Sequence, residues 1–349
     1  MAKTDNIKVG ISIGDPNGIG GEVIIKAFED PAMLEMYTPI IFGSTRLFSH
    51  VIKSIDSQVK IHGVKTVDEA IPGRINVVRL FKEDFAIEWG TVSPQAGKMA
   101  VESLQAAVAA LKEDQIDVLV TAPINKESIQ SDDFKFPGHT DYLNQELVGE
   151  SLMFMVSENL KVGLLTDHVP ISEVSNSITP KLIKTKIGTI KESLKKDFAI
   201  NRPKIAVLGI NPHVGDNGVI GSDDQDTLIP ALEELREDGN IIFGPYAADT
   251  FFGNQNFKNF DAILASYHDQ GLAPFKTISF GSGVNYTAGL SHVRTSPDHG
   301  TGFDIAGKNQ ANPSSMRAAI HTAVAIYNNR KLYDELTANP LKNQSRKRR

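Results

Sequence analysis

Short apolar runs bounded by turn residues alternate with longer segments of helical period along most of this chain. Residues 7–13, 39–42, 117–121, 152–156, 162–165, 204–210 and 262–266 are continuous apolar runs of strand length, the pattern of strands covered on both faces. Residues 94–115, 180–196, 226–238 and 313–331 repeat their apolar positions at helical spacing. In the second of these, Leu182, Ile183, Ile187, Ile190 and Leu194 form a core-facing stripe with lysines on the other side. Strands alternating with helices predict an α/β fold of mostly parallel sheets covered by helices, with function in loops at the carboxyl ends of strands. No fixed-period repeat, low-complexity tract or linker marks a boundary, which leaves room for a chain that crosses between lobes more than once.

A length of 349 residues suits two α/β lobes better than one domain. The net charge of −6 argues against nucleic acid as a partner, because phosphate backbones select a basic face. The basic run Arg346-Lys347-Arg348-Arg349 reads as a solvated tail. Cysteine is absent, which excludes disulfides, thiolate nucleophiles and cysteine zinc sites together. Residues 1–6 hold no apolar leader core, and no segment approaches the roughly 20 apolar residues of a membrane span. A cytoplasmic protein is expected, with no membrane partner. The sequon at Asn285-Tyr286-Thr287 carries little weight in that setting.

Two glycine motifs fail on inspection. Gly14-Asp15-Pro16-Asn17-Gly18-Ile19-Gly20-Gly21-Glu22 follows a strand and opens a helix, but a dinucleotide fingerprint needs a glycine where Val23 stands. A tight structural turn and a ligand-edge loop both remain open for it. Residues 302–309 match a phosphate-binding loop until Asn309, which replaces the magnesium-binding Ser or Thr, and no strand precedes them. An ATPase is excluded.

Of nine histidines, His50, His62 and His321 stand in no chemically suggestive company. His168, His213 and His268 each follow a strand-like run in a polar turn. Three imidazoles at corresponding strand ends can converge on one metal and leave a position open for substrate, although spacing alone does not show convergence. Pro137-Gly138-His139-Thr140 places glycine, imidazole and hydroxyl at a predicted helix start, where backbone N–H groups favour phosphate. Lys276, Asn285 and Arg294 follow in a glycine-rich stretch that reads as too polar for core.

At this point the sequence resembles the 4-hydroxythreonine-4-phosphate dehydrogenase family of pyridoxal phosphate biosynthesis. Seven motifs in one order carry the likeness: residues 14–20, Thr121-Ala122-Pro123-Ile124-Asn125-Lys126, Pro137-Gly138-His139-Thr140, Asn211-Pro212-His213, Gly244-Pro245-Tyr246-Ala247-Ala248-Asp249-Thr250, Tyr267-His268-Asp269-Gln270-Gly271 and residues 298–307. The last, with Asn312 beyond it, also looks like the adenosine loop of isocitrate and isopropylmalate dehydrogenases, which would account for NAD binding without a Rossmann fingerprint.

The resemblance implies a fold of that dehydrogenase type. Its cleft would lie between a cofactor-side lobe (residues 1–125 plus 290–349) and a metal- and substrate-side lobe (126–289). It implies a homodimer with the active site at the subunit interface, and a divalent metal on His168, His213 and His268 with one ligand crossing from the partner. Substrate contacts would come from His139, Thr140, Lys276, Asn285 and Arg294, and cofactor contacts from His299, Gly300, Asp304 and Asn312. The implied reaction oxidises 4-phosphooxy-threonine at C3 with hydride passing to NAD, then loses carbon dioxide, the metal supplying Lewis acidity. Asp249, Asp269 and Lys276 are the implied catalytic set, the two carboxylates orienting a ligand histidine or relaying the proton. Three neutral imidazoles favour zinc, with magnesium or cobalt open, and NADP is open beside NAD.

Gly21, Asp167 and Asp216 depart from the residues common in the family at those places, where Pro, Thr and Glu are usual. None removes an implied ligand. They do leave a 4-phospho-threonate or erythronate dehydrogenase as a rival reading. A metal-dependent phosphatase or acyltransferase, or a binding protein without turnover, are rivals of other classes.

Overall fold

A computed structural model describes residues 6–81, 85–132 and 134–340. The basic run 346–349 lies outside the described residues. Twelve strands join in one sheet: β1 (Ile7–Ser12), β2 (Tyr37–Gly43), β3 (Ile61–Val64), β4 (Ile75–Arg79), β5 (Val118–Thr121), β6 (Gly149–Val156), β7 (Lys161–Leu164), β8 (Ile205–Leu208), β9 (Ile242–Tyr246), β10 (Ala262–Ala265), β11 (Val284–Leu290) and β12 (Arg294–Pro297). Their order is β3-β4-β2-β1-β5-β12-β11-β6-β7-β10-β8-β9. Most pairings are parallel, and the antiparallel ones (β12 with β11, β11 with β6, β6 with β7) sit together at the centre. The expected α/β class is therefore present, as one continuous sheet.

Every predicted strand and helix is present, with shifts at the ends. Pro180–Lys196 forms as expected: the Thr179 hydroxyl accepts from the Leu182 amide at 3.2 Å, and Pro180 opens the first turn. The helix at 94 stops at Lys112, and the last one runs on from Ser314 to Thr337. The helix expected over 226–238 spans Ile229–Glu237, preceded by a wider turn at Asp224–Leu228.

The expectation that failed concerns the polar stretch around Asn285 and Arg294. It forms β11 and β12, in the middle of the sheet. Residues alternate there, and cross-strand partners share a face. Val284, Tyr286 and Ala288 face the apolar core with Phe154 of β6 and Val120 of β5. Arg294 and Ser296, Asn285 and Thr287, and Thr121 of β5 fall on the other face. An apolar-run criterion misses strands that are apolar on one face only.

The first glycine loop resolves as a structural joint. Gly14 has φ +67°, and a β-carbon there would meet the Pro123 carbonyl oxygen at 2.3 Å. A β-carbon on Gly18 would meet the Thr301 oxygen at 2.6 Å, so the loop lies directly against the 298–312 segment. Buried Glu22 reinforces the joint by accepting from the Ala311 amide at 2.8 Å and pairing with Lys26 at 2.7 Å.

Candidate active site on the central strands

Arg294 anchors the polar face of the central strands. It is 1% exposed, with Nε and Nη2 donating to the Thr121 hydroxyl at 3.1 and 2.6 Å and Nη1 donating to the Thr287 hydroxyl at 3.0 Å. Among the described residues no carboxylate pairs with it. Burial lowers its pKa to about 9, which still leaves a cation at neutral pH. A buried cation held only by hydroxyls is costly to the fold, and such violations mark places where a ligand supplies the missing charge.

Above Arg294 opens a cavity of about 340 Å³. It brings together His139, Thr140, Asn285 and Arg294 of the substrate set, His168 of the metal set, and His299 with Gly300 of the cofactor set. Thr121, Lys126, Asp141 and Ser296 complete its polar lining and were missed from sequence, although Thr121 and Lys126 bound one of the quoted motifs. Three buried atoms in it have no hydrogen-bond partner: Nε2 of His139, Oδ1 of Asn285 and Nε2 of His299. Burial, then Arg294 and then Lys126, hold the His139 imidazolium well below the ordinary histidine range, so His139 is neutral at pH 7. Burial lowers His299 as well, and its Nδ1 lies 3.0 Å from the Gly300 oxygen.

The other predicted residues lie outside that cavity. His268 opens the helix His268–Ile278, with Nδ1 2.7 Å from Asp269 Oδ1, and its ring centroid lies 5.9 Å from that of His168. His213 sits on an exposed turn where residues 213–217 all have positive φ. Among the described residues no group of three or more His, Asp or Glu side chains could hold a metal. One chain thus pairs two of the three imidazoles. Lys276 forms an ion pair at 3.2 Å with Asp298, which opens the last of the seven motifs but was assigned no role, and burial raises the Asp298 pKa. Asp249 is exposed and accepts from the Thr250 amide at 2.7 Å. Asp304 is exposed, and Asn312 accepts from the Ser314 amide at 2.9 Å at the start of the last helix.

A buried cation, unpartnered polar atoms and neighbouring imidazoles on an α/β sheet define a site for a small anionic substrate. Comparison with known proteins narrows the class. Residues 35–323 match the family described as pyridoxal phosphate biosynthetic protein PdxA, and the chain belongs to that family. The 4-hydroxythreonine-4-phosphate dehydrogenase of Bacteroides thetaiotaomicron is 47% identical over 97% of this chain and 94% of its own length. The D-threonate 4-phosphate dehydrogenase of Cupriavidus necator is 36% identical over 91% of this chain and 96% of its own. The crystal structure of 4-hydroxythreonine-4-phosphate dehydrogenase from Klebsiella pneumoniae superposes with a TM-score of 0.81 at 31% identity, covering 94% of this chain and all of that one. Among the described residues no helix is long and apolar enough to cross a membrane.

Proposed function

We propose that this chain oxidises 4-phosphooxy-L-threonine at C3 and releases carbon dioxide to give 3-amino-2-oxopropyl phosphate, on the route to pyridoxal 5′-phosphate. The secondary alcohol loses hydride to NAD and a proton to the protein, and the resulting β-keto acid loses carbon dioxide while C2 takes up a proton. Arg294 is the observation that carries this reading. It is a buried guanidinium lacking a carboxylate, in a cavity sized for a small phosphorylated acid. Neutral His139 offers its free Nε2 as a hydrogen-bonding group, and Asn285 Oδ1 serves the same end.

The residues suit a nicotinamide cofactor and a divalent metal. The unpartnered Nε2 of His299 and the segment held by Glu22 fit the cofactor reading, with Gly300, Asp304 and Asn312 on the same segment. His168 and His268 present neighbouring imidazoles, and Asp269 orients His268 through Nδ1. When bound, such an ion supplies Lewis acidity at the C3 oxygen. An all-imidazole donor set favours zinc over magnesium, with cobalt also suited.

That His213 forms no three-ligand group with the other two among the described residues supports a homodimer that completes the metal set across subunits. Its turn carries Val219, 82% exposed, as apolar surface for a partner to cover. Asp249, Asp269 and Lys276 would then close the reacting centre as relay and neutralising groups. The strands of 7–121 and 294–297 occupy one half of the sheet and those of 149–290 the other, which supports a cofactor-side lobe of 1–125 plus 290–349 against a metal- and substrate-side lobe of 126–289. The cysteine-free chain fits the reducing cytoplasm.

NADH absorbance decides the reading, with NAD and zinc or magnesium, on 4-phosphooxy-threonine, 4-phospho-threonate and 4-phospho-erythronate. Turnover of the amino substrate with carbon dioxide release is the expected result. Preference for a hydroxy acid would move the chain to the activity named for its Cupriavidus relative, and silence on all three would overturn a dehydrogenase.

A further inference from the structure

We infer that Lys126 is a phosphate-binding residue of this cavity, clamping the phosphate end of the substrate against the start of the helix His139–Glu146. The inference rests on the reading above for the identity of the substrate, but not for the existence of the anion site. Lys126 lines the cavity, and a β-carbon built on Gly138 would find its Cε at 3.9 Å and no nearer neighbour. The lysine therefore lies over the residue that precedes the helix. No side chain caps that helix, so the amide groups of its first turn are left without a side-chain acceptor.

The position of Lys126 is built. The Asn125 side chain accepts from the Glu127 and Ser128 amides at 3.0 and 2.8 Å, which fixes the turn that begins at Lys126. The Gln130 side chain donates to the Lys126 oxygen at 3.2 Å and to the Phe136 oxygen at 2.9 Å, closing the loop back onto the helix start. Lys126 is exposed, and among the described residues no carboxylate lies within ion-pair distance of it. The buried, unpartnered Nε2 of His139 points to a ligand in the same place.

Two cations, Lys126 and Arg294, meet one acidic residue, Asp141, in the lining. The lining is net positive, which suits a substrate that carries both a phosphate and a carboxylate. Helix amides with a flexible ammonium suit the tetrahedral phosphate, and the fixed fork of Arg294 suits a planar carboxylate.

Calorimetric titration with inorganic phosphate and with malonate, on wild type, Lys126→Met and Lys126→Arg, tests this. Phosphate affinity should fall roughly tenfold to a hundredfold in Lys126→Met, return to within about threefold of wild type in Lys126→Arg, and malonate affinity should change little. Lys126→Gln substitutes if the methionine variant is unfolded. Phosphate affinity unchanged within about threefold in the neutral variant, or an equal loss for malonate, would overturn the assignment. Absent dehydrogenase turnover in the wild type would count against the proposed reaction alone, since phosphate binding is read without it.

Discussion

Arg294 lies buried between β5 and β11 with all its hydrogen bonds made inside one chain, whereas His213 sits on an exposed turn in a backbone conformation its neighbours resist. In that turn Val214 has φ +59°, a region that β-branched residues avoid. The first arrangement is preorganised and the second is unfinished. The difference teaches how the proposed site would divide its labour: a single chain shapes the floor of the cavity, but among the described residues it does not bring the three histidines into one group.

The largest expected effect sharpens the unfinished side. His213→Ala should lose bound metal and drop turnover by roughly a thousandfold, the scale of losing Lewis-acid stabilisation. Its melting temperature should hold, because His213 is exposed. Elemental analysis of the purified variant beside the NADH assay reads both. Metal content equal to wild type would break the idea that this turn serves a shared metal.

On the preorganised side, Arg294→Met should lower kcat/KM by roughly a hundredfold. Stability should stay level or rise, because an apolar side chain of similar volume removes an unpaired buried charge. A collapse of the thermal transition would instead make Arg294 a structural strut, and the contrast with His213 would fail.

A smaller effect is expected at His139, about tenfold in KM for His139→Gln. Its pH signature is more telling. Burial holds the folded-state pKa well below the usual 6.5. Below about pH 6.5 the unfolded chain takes up a proton there and the folded chain does not, so stability present at pH 7.5 is lost on acidification. Thermal melts at about pH 5 and pH 7.5 should show a smaller difference in the variant than in wild type. An identical difference would show that His139 titrates freely.

Least of all, Asp298→Asn should change KM by only about threefold, since Lys276 is half exposed and such pairs are weak. A change in kcat without one in KM would place Asp298 closer to the chemistry than a partner of Lys276.

Much of this was legible in the residues, and particular positions show where legibility ended. His139, Thr140, Lys276, Asn285 and Arg294 stood out as an anionic-ligand group, and all but Lys276 line one cavity. Arg294 itself falls in a stretch that reads as too polar for core, because one-sided alternation over four residues looks like no strand at all. Lys126 and Thr121 went unassigned because a lone lysine and a strand-end threonine have bland readings until a fold sets them beside Gly138 and Arg294. Glu22, 289 residues from Ala311, gave no signal of the joint it makes.

What the sequence determined by itself was the class of fold, most of its helices and strands, and the identity of the groups able to do chemistry. Apolar period and residue type are local properties that survive without a neighbour. The tertiary structure alone decided which groups meet. Charge, hydrogen-bond satisfaction and proton affinity depend on distance and on exclusion of water, and the sheet order that sets β12 beside β5 and β11 supplied both. It also decided that His168 and His268 lie side by side, a fact that no spacing along the chain contains.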